Sequence, residues 1–198
     1  RASGDTHVWT QSFDNNMGKV FRLQSEVAEK VAQALDITLR KSERQALAYR
    51  PTENKEAYEN YLSGREYYNQ DAYRRALELL EKAVHFDPNS AMAYAQLSRA
   101  HSYLYWTDRK SQTQERLDKA KEAVDKAMIL NPDLPEVHLA LGHYFYHGLR
   151  KYDLALDEFD GVLRAQPNND EALGFTCYVQ RKQGKIEEAL ANIKKASQ

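Results

Sequence analysis

Three stretches of the chain carry the same alternation of small and large apolar positions ahead of a proline. Ala76, Leu80 and Ala83 precede Pro88; Ala120, Val124 and Ala127 precede Pro132; Ala155, Phe159 and Val162 precede Pro167. Offsets of four and seven residues lay each trio along one stripe of a helix, and the small members let a neighbouring helix come close. Ala189, Ile193 and Ala196 repeat the spacing a fourth time.

The prolines stand 44 and 35 residues apart, and such a period calls for a repeat architecture. Proline lacks an N–H and clashes with the preceding turn, so each one ends a helix. The helix that follows each proline, the first of its pair, carries a recurring set of its own: Tyr94, Leu97, Ser98 and His101, then His138, Leu141, Gly142 and Phe145, then Leu173, Thr176, Cys177 and Gln180. The small residues Gly64, Ser98, Gly142 and Cys177 mark where these leading helices are expected to touch their partners. Asp133 and Asn168 are expected N-caps, each followed three residues on by a glutamate, Glu136 or Glu171, in a capping box; Asn89 is placed alike, with Met92 where the glutamate would be.

This pattern resembles the tetratricopeptide repeat, a helix-turn-helix unit of roughly 34 residues with fixed small positions and a terminal proline. The resemblance covers residues 55–198, with repeats at about 55–88, 89–132, 133–167 and 168–198. It departs from the family at Asn60, where a large aromatic is usual, around "LYWTDRKSQTQERL", which adds about ten residues, and near Leu149, which adds one. It implies an all-α solenoid whose concave face is built from the leading helices. On that face it places Tyr58, Tyr61, Arg65 and Tyr68, then Met92, Arg99 and Tyr103, then Leu139, His143, Tyr146 and His147, then Tyr178 and Arg181. Glu136 and Glu171 fall on the same set of positions, while Tyr67, Tyr94 and Tyr144 are expected to pack against the next repeat.

Tyrosine and arginine carry much of the energy of protein interfaces. The implied function is a protein-interaction scaffold for a peptide or protein, with acidic groups to match the arginines, and self-association into a homo-oligomer is the alternative. The two-carboxylate clamp of chaperone-binding repeats needs Lys, Asn, Asn, Lys and Arg; those positions hold Tyr61, Arg65, Gln96, Glu136 and Ala140. A chaperone tail is therefore not the expected ligand.

Residues 1–50 read differently. "HVWTQSFD" alternates as a short strand, and Val20, Leu23, Val27, Val31, Ala34, Leu35 and Leu39 form the stripe of a long helix running from Met17 to about Ala48. Trp9, Phe13 and "VFRLQSEVAEKVAQAL" resemble the closing strand and helix of the TolB-amino-terminal-like (FlgO-like) domain that precedes tetratricopeptide arrays in bacterial signalling proteins. That resemblance implies a remnant domain at 1–50, an array at 51–198, and an upstream effector outside this chain. A first residue other than Met, and a helical pattern that runs to Ser197, agree with a longer parent.

Composition narrows the chemistry. Basic and acidic residues number 28 and 29, for a net charge of −1, so no broad positive field attracts nucleic acid. Mean hydropathy is −0.78 and no apolar run approaches a membrane span. Cys177 is the only cysteine, which excludes an intrachain disulfide and fits a cytoplasmic more than a periplasmic setting. It stands where the repeat takes a small residue, so packing is its expected role. Gly18-Lys19 lacks the preceding glycine of a phosphate loop. His143 and His147 share a helix face at metal-ligand spacing, but no carboxylate near them in sequence completes a site, so lining the groove is their expected role. No cofactor or catalytic activity is expected, and a metal or small-molecule sensor using His143 and His147 is the least favoured of the three readings.

Overall fold

The computed structural model describes residues 17–35, 38, 49 and 51–190, which divide into two units at Tyr49 and Arg50. The expected strand at 7–14 lies outside the described residues, as do Ile193 and Ala196 of the fourth stripe. In the first unit, helix α1 (Met17–Ala34) presents Leu23, Val27 and Val31, with Leu35 just past its end, half exposed at four-residue spacing. The helix expected to reach Ala48 is shorter, because Thr38 is already non-helical; Asp and two β-branched residues follow Leu35, all weak helix formers.

The second unit is wholly helical among the described residues. Repeat one pairs α2 (Lys55–Asn69) with α3 (Tyr73–Phe86). Repeat two pairs α4 (Ala91–Thr107) with α5 (Gln114–Leu130), across a single 3-10 turn at Arg109–Ser111. Repeat three pairs α6 (Pro135–His143), continued by a π-helical turn at Tyr144–Leu149, with α7 (Tyr152–Ala165). Repeat four holds α8 (Asp170–Lys182) and a helical segment, α9, over residues 186–190.

Within each pair the small residue of the leading helix meets the stripe of the second. Gly64 lies against Leu80 and the Ala76 carbonyl, and Gly142 against the ring of Phe159. In repeat two the Ser98 hydroxyl donates to the Ala120 carbonyl at 2.7 Å, and in repeat four the Cys177 thiol donates to the Ala189 carbonyl at 3.5 Å. These four equivalent contacts fix one register for the whole array. Burial follows it: Ala76, Leu80, Ala83, Ala120, Val124, Ala127, Ala155 and Phe159 are fully enclosed. At roughly 25 cal/mol per Å2 of apolar surface, each of the larger residues contributes about 2 kcal/mol by leaving water.

The prolines act in turns, with Ser90 N–H bonding to the Asp87 carbonyl, Leu134 to Asn131 and Asn169 to Gln166. Pro88, Pro132 and Pro167 thus occupy the second turn position, where a fixed φ is favourable. This moves each cap one residue beyond expectation. Ser90 caps α4 in place of Asn89, Asn169 caps α8 in place of Asn168, and Leu134 precedes α6, whose first residue is Pro135. Glu171 consequently makes no capping box and is available to the interior. The tight turns inside repeats one, three and four each use one left-handed residue, Asp71, Arg150 and Gly184.

Both insertions have a physical destination. The ten extra residues of repeat two extend α4 to Thr107 and form a loop organised by Asp108, which accepts from the Lys110 N–H at 3.0 Å and the Ser111 hydroxyl at 2.9 Å and pairs with Arg74. The one extra residue of repeat three is wound into the π turn.

Candidate functional site

The thirteen residues expected to line the inner wall lie on the leading helices α2, α4, α6 and α8 and on the turn that continues α6, and they are sorted by depth. Arg65, Tyr178 and Arg181 are exposed, and Tyr58, Met92 and Tyr103 are half buried. Tyr61, Tyr68, Arg99, Leu139, His143, Tyr146 and His147 are buried. Leu139 and Tyr146 belong to the core with Phe159, Val162, Ala172 and Val179, which takes them out of a partner's reach in this conformation. Tyr144 is enclosed near Leu117 and Ala120 of the preceding repeat rather than against the next one, and Tyr67 is exposed.

At the two ends of the wall, arginine lies over tyrosine. The Arg65 guanidinium sits 5.7 Å from the Tyr61 ring centroid, and that of Arg181 sits 5.4 Å from Tyr178. Stacking of this kind holds a cation in place while leaving its edge N–H groups facing outward.

The middle of the wall is a closed polar chain. Arg99 of α4 has only 10% of its side chain exposed; it donates from Nη1 to Gln96 Oε1 at 3.0 Å, packs over Tyr68 at 5.1 Å, and pairs through Nη2 with Glu171 of α8. The repeat pattern places Arg99 as an exposed groove charge. It is instead enclosed, because stacking brings the first turn of α8 across repeat three to meet α4.

The same Glu171 oxygen lies 3.0 Å from Nε2 of His143, and His143 Nδ1 faces His147 Nδ1 at 3.4 Å. Burial by itself raises the Glu171 carboxyl, but the His143 hydrogen bond and the Arg99 charge outweigh it and bring it down to about 2. An ionised carboxylate only accepts, so His143 donates from Nε2–H and its Nδ1 accepts from His147. Burial keeps both imidazoles neutral: His143 is lowered despite Glu171, and His147, also facing His143 and Arg99, falls to about 2.

The carboxylate that the sequence does not place beside these histidines is therefore Glu171. It approaches His143 from the ring edge opposite His147, so the three do not converge, and no group of three metal-ligating side chains gathers among the described residues. Phe175 at 4.2 Å from His143 and Tyr146 at 4.7 Å, Tyr103 at 5.0 Å and Trp106 at 5.7 Å from His147 complete an aromatic enclosure. Trp106 enters from the repeat-two extension and lies under Arg150 at 5.7 Å.

Gln96, Glu171 and Trp106 take parts in this cluster that the sequence does not assign to them. The first two occupy concave positions of the repeat, a legible signal, whereas Trp106 lies in an insertion that no repeat position describes. Three polar groups of α4 stay without a hydrogen-bond partner although enclosed: Gln96 Nε2, Arg99 Nε and Ser102 Oγ.

No family model and no curated protein sequence matches the chain. Solved structures do. TTC0263, a TPR protein of Thermus thermophilus, superposes with a TM-score of 0.62 at 24% identity, over 72% of this chain and 73% of that one. The TPR domain of Arabidopsis OM64 gives 0.50 at 17% identity, over 65% and 97%. The first TPR unit of Spaghetti (RPAP3), in a structure bound to an HSP90 peptide, gives 0.49 at 22% identity, over 71% and 98%. The helix pairs, their common register and the similarity to TTC0263 and OM64 together show that residues 51–190 have the tetratricopeptide-repeat fold.

Proposed function

We propose that this chain is a protein-interaction scaffold whose inner wall takes an extended or helical segment bearing acidic side chains. The observation that carries the reading is the pair of exposed arginines, each laid on a tyrosine, at opposite ends of the wall. Tyr58, Met92 and Tyr103, on the leading helices of repeats one and two, keep part of each side chain open to solvent. Large aromatic surface beside an oriented guanidinium is the chemistry of interface hot spots, and guanidinium edges match carboxylates best.

No catalytic step is assigned. The ionisable cluster of the wall is already paired, and its carboxylate is charged rather than poised near neutrality. The setting within a larger bacterial regulator rests on the resemblance of residues 1–50 to the closing strand and helix of a TolB-amino-terminal-like domain ahead of a repeat array.

The test is fluorescence anisotropy with acidic, neutral and basic peptides of equal length, run with Arg65→Ala and Arg181→Ala. Preference for acidic peptides, weakened at least tenfold by the double substitution, supports the reading. Equal binding of all three peptides, or indifference to the substitutions, overturns it. Light scattering over a concentration series distinguishes capture of a peptide from self-association through the same wall.

A further inference from the structure

Among the three arginines expected on the wall, one is occupied by the protein itself. Arg65 and Arg181 face solvent, while Arg99 spends Nη2 on Glu171 and Nη1 on Gln96. Its Nε–H remains unpartnered, as does the Gln96 amide nitrogen, and both residues are more than nine-tenths buried. Enclosed donors without acceptors are costly. Their concentration beside a guanidinium describes a floor suited to more carboxylate oxygen than Glu171 supplies.

Glu171 is the most exposed member of this arrangement. It has 31% of its side chain exposed, against 10% for Arg99 and none for His143, and it stands at the first turn of α8. Its hydrogen bond to His143 gives it a second anchor should Arg99 be taken by another acceptor. The pair also joins repeat two to repeat four, whereas solenoid repeats ordinarily touch only their neighbours.

We infer that Glu171 is a built-in occupant of a carboxylate subsite formed by Arg99 and Gln96, closing the wall across repeats two to four until a partner's carboxylate takes its place. This deepens the acidic-partner reading and rests on it. On displacement Glu171 stays with His143, the incoming oxygens take the Arg99 fork and the idle N–H groups, and α8 is released from α4. The exposed arginines at the ends serve the encounter, and the central one gives the latch.

The experiment uses the full chain with Cys177→Ala and spin labels at the exposed positions 122 and 182, introduced as Glu122→Cys on α5 and Lys182→Cys on α8. Pulsed electron-spin resonance reads the distance between repeats two and four, and anisotropy reads the affinity for a labelled hexaglutamate. Glu171→Gln and Arg99→Met are compared, with folding checked by circular dichroism. Both are expected to broaden the distance distribution toward longer values. In affinity they are expected to part: Glu171→Gln tightens hexaglutamate at least fivefold by removing the competitor, and Arg99→Met weakens it at least fivefold by removing the subsite.

Equal distances in all folded variants, or affinities that move in the same direction, overturn the inference. If hexaglutamate binds through Arg65 and Arg181 while those two readouts fail, the scaffold reading stands and the latch falls. If the wall opens in both variants but hexaglutamate binds to none of the proteins, the acidic-partner reading falls and the displacement step falls with it.

Discussion

Gly142 lies so close to Phe159 that a β-carbon at position 142 would come within 2.4 Å of the ring. The fully enclosed Phe159 has no room to retreat, since it is also held against His143 and Phe175. Gly142→Ala is therefore expected to destabilise the array by about 1–3 kcal/mol through overpacking, despite the better helix propensity of alanine. Gly174 in α8 is the control: nothing stands within 4 Å of its would-be β-carbon, and Gly174→Ala should stabilise by about 0.5–1 kcal/mol. Urea unfolding of the two variants reads the opposite signs directly.

Arginines on one wall are expected to differ in what they do for stability. Arg65→Ala and Arg181→Ala remove exposed groups and should change the unfolding free energy by less than about 0.5 kcal/mol. Arg99→Ala breaks a largely enclosed pair and leaves Tyr68 and Gln96 without their partner, so a loss of about 3 kcal/mol is expected. Equal melting temperatures for the three would refute the distinction.

Acid should weaken the fold over a defined window. His101 is brought down to about 4 by burial, with Arg116 and Lys119 adding to it, and Arg116 donates to its Nδ1 at 3.1 Å. The unfolded chain binds this proton near 6.5 and the folded chain does not, so stability present above 6.5 is lost as pH falls toward 4. The loss is on the order of 3 kcal/mol for His101 alone. His143 and His147 shift the same way. His101→Asn should flatten the slope of the melting temperature between pH 4 and 6.5.

His138 works in the opposite direction. Its hydrogen bond to Glu158, at 2.7 Å, raises it against the effect of burial, and the Glu158 charge adds to the rise. That stabilisation is complete below 6.5 and is lost as pH climbs through the raised value. His138→Gln should therefore lower the melting temperature at about pH 6 more than at about pH 8.

The repeat-two loop depends on one carboxylate. Asp108→Ala removes the acceptor for Lys110 N–H, the Ser111 hydroxyl and Arg74 together. Trypsin is expected to cut after Arg109 or Lys110 several times faster in the variant, with the helical content unchanged.

The helix pairs are legible because burial repeats: Ala76, Ala120 and Ala155 sit at one spacing from their prolines, and each lies in a helix that meets the small residue of its leading partner. The caps are legible to within a residue; Asn168 and Asn169 are chemically equivalent candidates, and only the turn geometry at Pro167 selects the second. The candidate site is less legible. The resemblance to the tetratricopeptide repeat implies Arg99, His143 and Glu171 as inward positions, but whether an inward position is open or closed depends on how far each repeat rotates against the last. That angle brings α8 to α4, and it arises from the sum of many side-chain volumes rather than from any local motif. The insertion near Leu149 is countable in advance, while its conversion into a wider helical turn is not.

That wider turn works as an expansion joint. By coiling one surplus residue into Tyr144–Leu149, the chain keeps α7 in phase, so that Gly142 meets Phe159 as Gly64 meets Leu80 two repeats earlier. Length can thus be gained inside a unit without changing the pitch of everything after it, and a tandem array can accumulate novelty at one step of its staircase while the remaining steps stay evenly spaced.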